Sequence, residues 1–265
     1  MILRSRIISV LALGAISLAG CSSEAPPVQL KPLTMKEQAS SIVKTRDGYV
    51  VNWAGVLNNG NPWHFGEHAV ATVVGRDASG AEVMRMDQPL DAVPPSGSLT
   101  FTGQATAAAK PAKVTIDYRS AQWRPAARIP SAFRKFPVSR VQTLKQKDGS
   151  YLITGTVANP YLLPASSLVV SALLRDEAGK LIGGGSTFVD DVKAGSPPRF
   201  ILTIEGVPAG TDVAKTEVEA RTWGSTGRPF EELALGGAVP VHTVRPTTEP
   251  FAKDRGKQAM PQADH

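Results

Sequence analysis

A stretch of about 100 residues occurs twice in this chain, and the duplication limits the fold more than any other feature. The first copy opens Asp47-Gly48-Tyr49-Val50-Val51-Asn52-Trp53-Ala54-Gly55-Val56. The second opens Asp148-Gly149-Ser150-Tyr151-Leu152-Ile153-Thr154-Gly155-Thr156-Val157. Asn61-Pro62 and Asn159-Pro160 follow as a matched pair. The runs Val70 to Asp77 and Val169 to Asp176 then end at turns containing Gly80 and Gly179. Asp91-Ala92-Val93 matches Asp190-Asp191-Val192, and Leu99 to Thr102 matches Arg199 to Leu202 within a residue. The copies close with Val114 to Arg119 and Thr216 to Arg221, each followed by a tryptophan, Trp123 and Trp223.

These runs are short and rich in β-branched and aromatic residues, with Gly, Pro, Asn and Asp between them, which is strand composition. Val114, Ile116 and Tyr118 alternate with Thr115, Asp117 and Arg119, so one face goes to a core and the other to water. Asp47-Gly48 and Asp148-Gly149 suit hairpin turns. No segment of either copy holds a helical period. Six or seven strands in roughly 85 residues predict an all-β chain of two tandem immunoglobulin-like β-sandwiches.

The N-terminus has its own signature. Arg4 and Arg6 precede an apolar run from Ile7 to Gly20, an export-signal pattern. Its roughly 14 residues would span about 21 Å as a helix, short of the ~30 Å hydrocarbon core. Leu18-Ala19-Gly20-Cys21 resembles the bacterial lipobox. That resemblance implies cleavage before Cys21, diacylglycerol on its sulfur and acylation of the freed amine; two or more chains give stable anchoring. Ser22 and Ser23 in place of an Asp resemble the default sorting to the outer membrane in a Gram-negative cell, facing the periplasm. The expected layout is a lipoprotein signal peptide at 1–20, a tether at 21–38, repeat 1 at 39–124, a basic Pro-rich linker at 125–137, repeat 2 at 138–224, and a Pro-rich, partly disordered tail at 225–265.

Cys21 is the single cysteine of the 265-residue chain, so no internal disulfide is available and apolar cores must carry stability. Lys plus Arg total 29 against 23 Asp plus Glu, a mild excess with a local concentration. Arg119, Arg124, Arg128, Arg134, Lys135, Arg140, Lys145 and Lys147 follow one another with no acid between. Such a stripe attracts anionic polymers or headgroups; in an exported protein, envelope polyanions are the expected partners and nucleic acid is not.

The copies also resemble the FxLYD-type β-sandwich modules of bacterial envelope proteins. The resemblance rests on Gly155-Thr156-Val157-Ala158-Asn159 and on Leu173-Leu174-Arg175-Asp176-Glu177-Ala178-Gly179-Lys180, where Ala172 to Asp176 keeps only the Leu and Asp of the name-giving motif. It implies a fold and no catalytic residues.

His64-Phe65-Gly66-Glu67-His68 fits the inverted zinc-peptidase pattern H-x-x-E-H, which needs both histidines on one helical face with Glu67 as base. Here Asn61-Pro62 opens a turn and strand residues follow. An extended segment would hold His64 and His68 about 13 Å apart, and the second copy offers Leu163 and Ser167 near these places. The competing reading is a loop with Trp63 and Phe65 packed inward. Gly183-Gly184-Gly185-Ser186 lacks the lysine of a phosphate loop and reads as a bulge or close backbone contact. Asp190-Asp191 lacks calcium-loop spacing. The four tryptophans, Trp53, Trp63, Trp123 and Trp223, read as core or domain-edge packing before sugar platforms.

The sequence thus points to a non-catalytic, lipid-anchored envelope protein, without cofactor or metal, that binds or scaffolds an envelope protein or anionic polymer. Its expected contact residues are Arg124, Arg128, Arg134, Lys135, Arg140, Trp63 and His64. The alternatives are a zinc hydrolase on His64, Glu67 and His68, and an accessory lipoprotein of a secretion or pilus assembly machine.

Overall fold

Alternating apolar residues and well-placed turns turn each copy into a pair of facing sheets. A computed structural model describes residues 29–127, 134–208 and 210–239; the segment expected to be a signal peptide, Cys21, Arg128 and the end of the expected tail lie outside them. The first sandwich contains β1 (Thr34–Thr45), β2 (Gly48–Asn58), β3 (His64–Glu67), β4 (Val70–Arg76), β5 (Glu82–Pro89), β6 (Ser98–Ala107), β7 (Lys113–Arg119) and β8 (Gln122–Pro125). The second contains β9 (Val138–Lys145), β10 (Tyr151–Val157), β11 (Ala165–Arg175), β12 (Leu181–Val192), β13 (Arg199–Ile204) and β14 (Lys215–Thr222), followed by α1 (Arg228–Leu235).

The repeat holds in topology for the two main sheets of each module. Sheet β1-β2-β6 corresponds to β9-β10-β13, and sheet β5-β4-β7 to β12-β11-β14, all antiparallel; the short pair β3-β8 is extra in the first module. The described residues are all-β apart from α1, with a sandwich-type fold. Gly55 pairs with Phe101, and Gly155 with Phe200. At both glycines a Cβ would overlap the partner's ring, so each copy seats a core aromatic over a strand glycine. Ile116 is buried, with Val114 and Tyr118 against the same core, as the alternation predicts.

One sequence match is displaced. The counterpart of Asn159 is Asn59, not Asn61. Asn59 Nδ2 donates to the carbonyls of His64 and Val93, and Asn159 Nδ2 to those of Leu163 and Val192. Each Oδ1 accepts the backbone N–H two residues on, from Asn61 and Tyr161. A buried amide that is fully bonded fixes the loop it sits in, and both sandwiches use it in one way. The turns after β4 and β11 are likewise copies: Asp77 and Asp176 accept from Ala81 and Lys180, and Arg76 and Arg175 donate to the carbonyls of Gly80 and Gly179.

Several boundaries differ from the sequence layout. β1 begins at Thr34, inside the expected tether. Phe136, within the expected linker, is buried in the second core. The segment read as tail supplies α1, whose Leu233 and Ala234 enter that same core.

From Lys31 onward the described residues form one compact unit, and strand burial shows how. β10 alternates buried and half-buried residues, whereas β2 and β11 are buried almost continuously along their middles. A strand buried on both faces has a second layer against it. Here that layer is the other module: Ala54 and Val56 of β2 pack on Leu173 of β11 and on Leu181. Gly184 lets the backbones approach, since a Cβ there would stand 3.0 Å from Thr102 Cγ2 and 3.1 Å from Ala54 Cβ. This is the close backbone contact that the glycine triplet suggests.

Candidate functional site

The segment His64–Glu67 is held extended by pairing with β8, His64 opposite Pro125 and Glu67 opposite Gln122. The inverted zinc-peptidase motif therefore has no helical face. Glu67 is buried and its Oε1 accepts from Arg124 Nε and from the Gly227 backbone N–H, both at 2.7 Å. Arg124 also donates to Glu231 at 2.9 Å and lies over the Phe65 ring, 5.1 Å from its centroid. Burial lowers the guanidinium's pKa, but Glu67 and Glu231 outweigh it and hold it above its ordinary value. This Glu67–Arg124–Glu231 chain joins β3, β8 and α1, so Arg124 serves packing. Among the described residues no three His, Cys, Asp or Glu side chains gather to hold a metal.

The other expected contact residues separate. Phe65 is buried as expected, but Trp63 is about half exposed beside Ala126. His64 is half-buried. Arg140 is exposed at a bulge of β9. Arg119 and Lys145 of the basic stripe pair with Asp87 and Asp212. Trp53 is a core residue bonded through Nε1 to Gln88, while Trp223 is exposed edge-on to Phe188.

Arg134 and Lys135 do come together, at a cleft between the modules of about 500 Å³. One wall is the Pro94–Ser98 turn with Thr100, and the opposite wall is Glu217 to Thr222 of β14. Arg134, Lys135, Phe136 and Phe230 line the rest. The walls are fixed by ion pairs that cross the module boundary. Arg221 bonds Asp91 at 2.8 Å, and Asp91 accepts the Gly224 N–H. Glu219 accepts the Thr100 N–H. Arg175 donates to both Glu37 oxygens, at 2.6 and 2.7 Å, and to Glu217 at 2.9 Å. Hydrogen bonds from Arg175 hold the Glu37 carboxyl below its ordinary value. Behind the linker, in the second core, the Tyr161 hydroxyl donates to the Arg134 carbonyl, and burial pushes its pKa up to about 12. A cleft with preset walls, apolar patches and charges of both signs is suited to holding an extended, partly charged ligand.

Sequence reasoning missed the residues that build this boundary. Arg76 and Arg119 of the first copy make exposed pairs with Glu82 and Asp87. Their counterparts Arg175 and Arg221 are drawn into the boundary. The available signal was the unbroken apolar run Trp53-Ala54-Gly55-Val56, too apolar for a strand with one wet face.

No protein-family model and no curated protein matches the chain. Among solved structures it is similar to the C-terminal globular domain of an oligosaccharyltransferase from Pyrococcus abyssi, with 9% identity and a TM-score of 0.24 over 71% of this chain and 46% of that one. The chain thus spans less than half of that domain's length. A second similarity is to the tandem CBM22 domains of Xyn10C from Paenibacillus barcinonensis, with 12% identity and a TM-score of 0.14 over 73% of this chain and 87% of that one. At these scores neither similarity bears on fold or function.

Proposed function

We propose that the chain is a lipid-anchored envelope protein that works by contact, holding a protein or polymer segment in the cleft between its two docked sandwiches. The observation that carries this reading is the preset cleft, lined by Arg134 and Lys135 on the linker and by Glu217, Glu219 and Arg221 on β14. The lipobox at Leu18 to Cys21 supplies the location. The role given to Glu67 is that of a strut, and the body is read as non-catalytic.

The test is site-specific photocrosslinking in cells. A photoreactive residue at Ser96, on the cleft rim, should yield a discrete crosslinked species, and one at Ala178, on the far turn, should not. Cys21→Ser should abolish the product and release the protein from carbonate-washed membranes. Equal crosslinking from both positions, or membrane retention of Cys21→Ser, would refute the reading.

A further inference from the structure

The place where the tether enters the body is fixed. The Lys31 N–H donates to Asn61 Oδ1 at 2.9 Å, and Asn61 Nδ2 donates back to the Lys31 carbonyl at 2.8 Å. Asn61 is buried and precedes Trp63 by two residues. The Trp63 carbonyl accepts from Ala126 N, and the Ala127 N–H reaches Glu231 of α1. One helical turn later stands Leu235. Beyond it, Gly236 and Gly237 lie under Leu163 and Leu162, and Leu162 N–H bonds the Gly237 carbonyl. The loops after the two clamp asparagines and the end of α1 therefore share one pole of the body.

That pole carries exposed apolar side chains: Leu235 is 65% exposed, Leu162 56%, Trp63 53% and Leu163 46%. Basic residues stand on the same and adjoining segments. Lys31, Lys135 and Arg228 are exposed, and Arg134 is half-exposed with Nη1 on the Val239 carbonyl. Glu232 is the exposed acid on α1, and Glu231 is taken by Arg124. Apolar tips on segments that also carry exposed Lys and Arg suit the boundary between headgroups and acyl chains of an anionic leaflet.

We infer that this pole is a membrane-contact surface: Leu162, Leu163, Leu235 and Trp63 dip into the leaflet that carries the lipid on Cys21, and the exposed basic residues of the adjoining segments meet its anionic headgroups. The inference rests on the anchor reading above. Ten peptide steps separate Cys21 from Lys31, a reach of at most about 35 Å. A tether this short, entering at the pole itself, keeps the tips within touch of the bilayer.

The test uses the full, acylated chain with Leu235→Cys carrying an environment-sensitive fluorophore, reconstituted into vesicles containing anionic lipid and bromine-labelled acyl chains. The control carries the label at Ala178→Cys, about 35 Å away along β11. The expected result is flotation of both proteins with the vesicles, with a blue shift and quenching at 235 and neither at 178. Replacing the anionic lipid by zwitterionic lipid should weaken the quenching. Failure to float would remove the anchor reading and this inference with it. Flotation with a water-like, unquenched signal at 235 would overturn this inference alone, as would quenching indifferent to lipid charge.

Discussion

Replacing Glu67 with alanine separates a structural carboxylate from a chemical one. The substitution removes two charge-assisted hydrogen bonds, from Arg124 Nε and from the Gly227 N–H, both 2.7 Å long. Bonds of this kind contribute about 1.5–3 kcal/mol each. Cutting one partner from a fully buried ion pair costs about 3–5 kcal/mol. Arg124 keeps Glu231 and its side chain is 30% exposed, so solvent recovers part of that loss. The net destabilisation should be about 3 kcal/mol. For a body of this size each kcal/mol lowers Tm by roughly 2–4 °C, so the midpoint should fall by about 6–12 °C. Glu67→Gln can still accept from Gly227 and should lose about half as much. The assay is thermal unfolding followed by circular dichroism in the presence of a chelator. An unchanged midpoint in chelator, or a loss seen only when zinc is present, would refute the strut and favour a ligand role for Glu67.

Three further outcomes follow from the same contacts. Asn159→Ala strips the carbonyls of Leu163 and Val192 and the Tyr161 N–H of their partner; it should lose about 2–4 kcal/mol in urea unfolding, and Asn59→Ala should lose a similar amount. Glu37 is held below its ordinary 4.5 by Arg175, so the stability it contributes is complete above that value and is lost as pH falls through the lower folded value. The gap in Tm between wild type and Arg175→Met should therefore narrow below about pH 4.5, and a gap constant into stronger acid would contradict the pairing. Tyr161, raised by burial to about 12, should ionise above the ordinary tyrosine range in an ultraviolet titration. It stabilises the fold fully below the ordinary tyrosine range, and that contribution is lost as pH rises through about 12. Tyr161→Phe should remove this phase and cost about 1 kcal/mol.

The sandwich architecture was legible because its determinants are local. Strand alternation, the Asp77 and Asp176 turns, and the repeat itself all sit within short windows of sequence. The Asn match slipped by two residues because Asn61 also lies in the loop and precedes a proline. Only the carbonyls it reaches, Val93 and Val192 far along the chain, identify Asn59 as the clamp. The boundary between modules was not legible for a related reason. Arg76 and Arg175 occupy equivalent positions at the ends of equivalent strands, but Arg76 pairs locally with Glu82 while Arg175 pairs with Glu217 and with Glu37 from the other module. The basic stripe misled because counting charges along the chain ignores which ones fold inward: Arg124 turns toward Glu67, while Arg134 and Lys135 reach the cleft.

The cleft exists only if the two sandwiches are docked as one body. Double electron–electron resonance between spin labels at Lys110→Cys in the first module and Ala178→Cys in the second, in a Cys21→Ser background, measures this directly. One narrow distance distribution is predicted, broadened when Gly184→Leu wedges β12 away from Ala54 and Thr102. A broad distribution in the unwedged protein would mean that the modules swing independently, and would contradict the account.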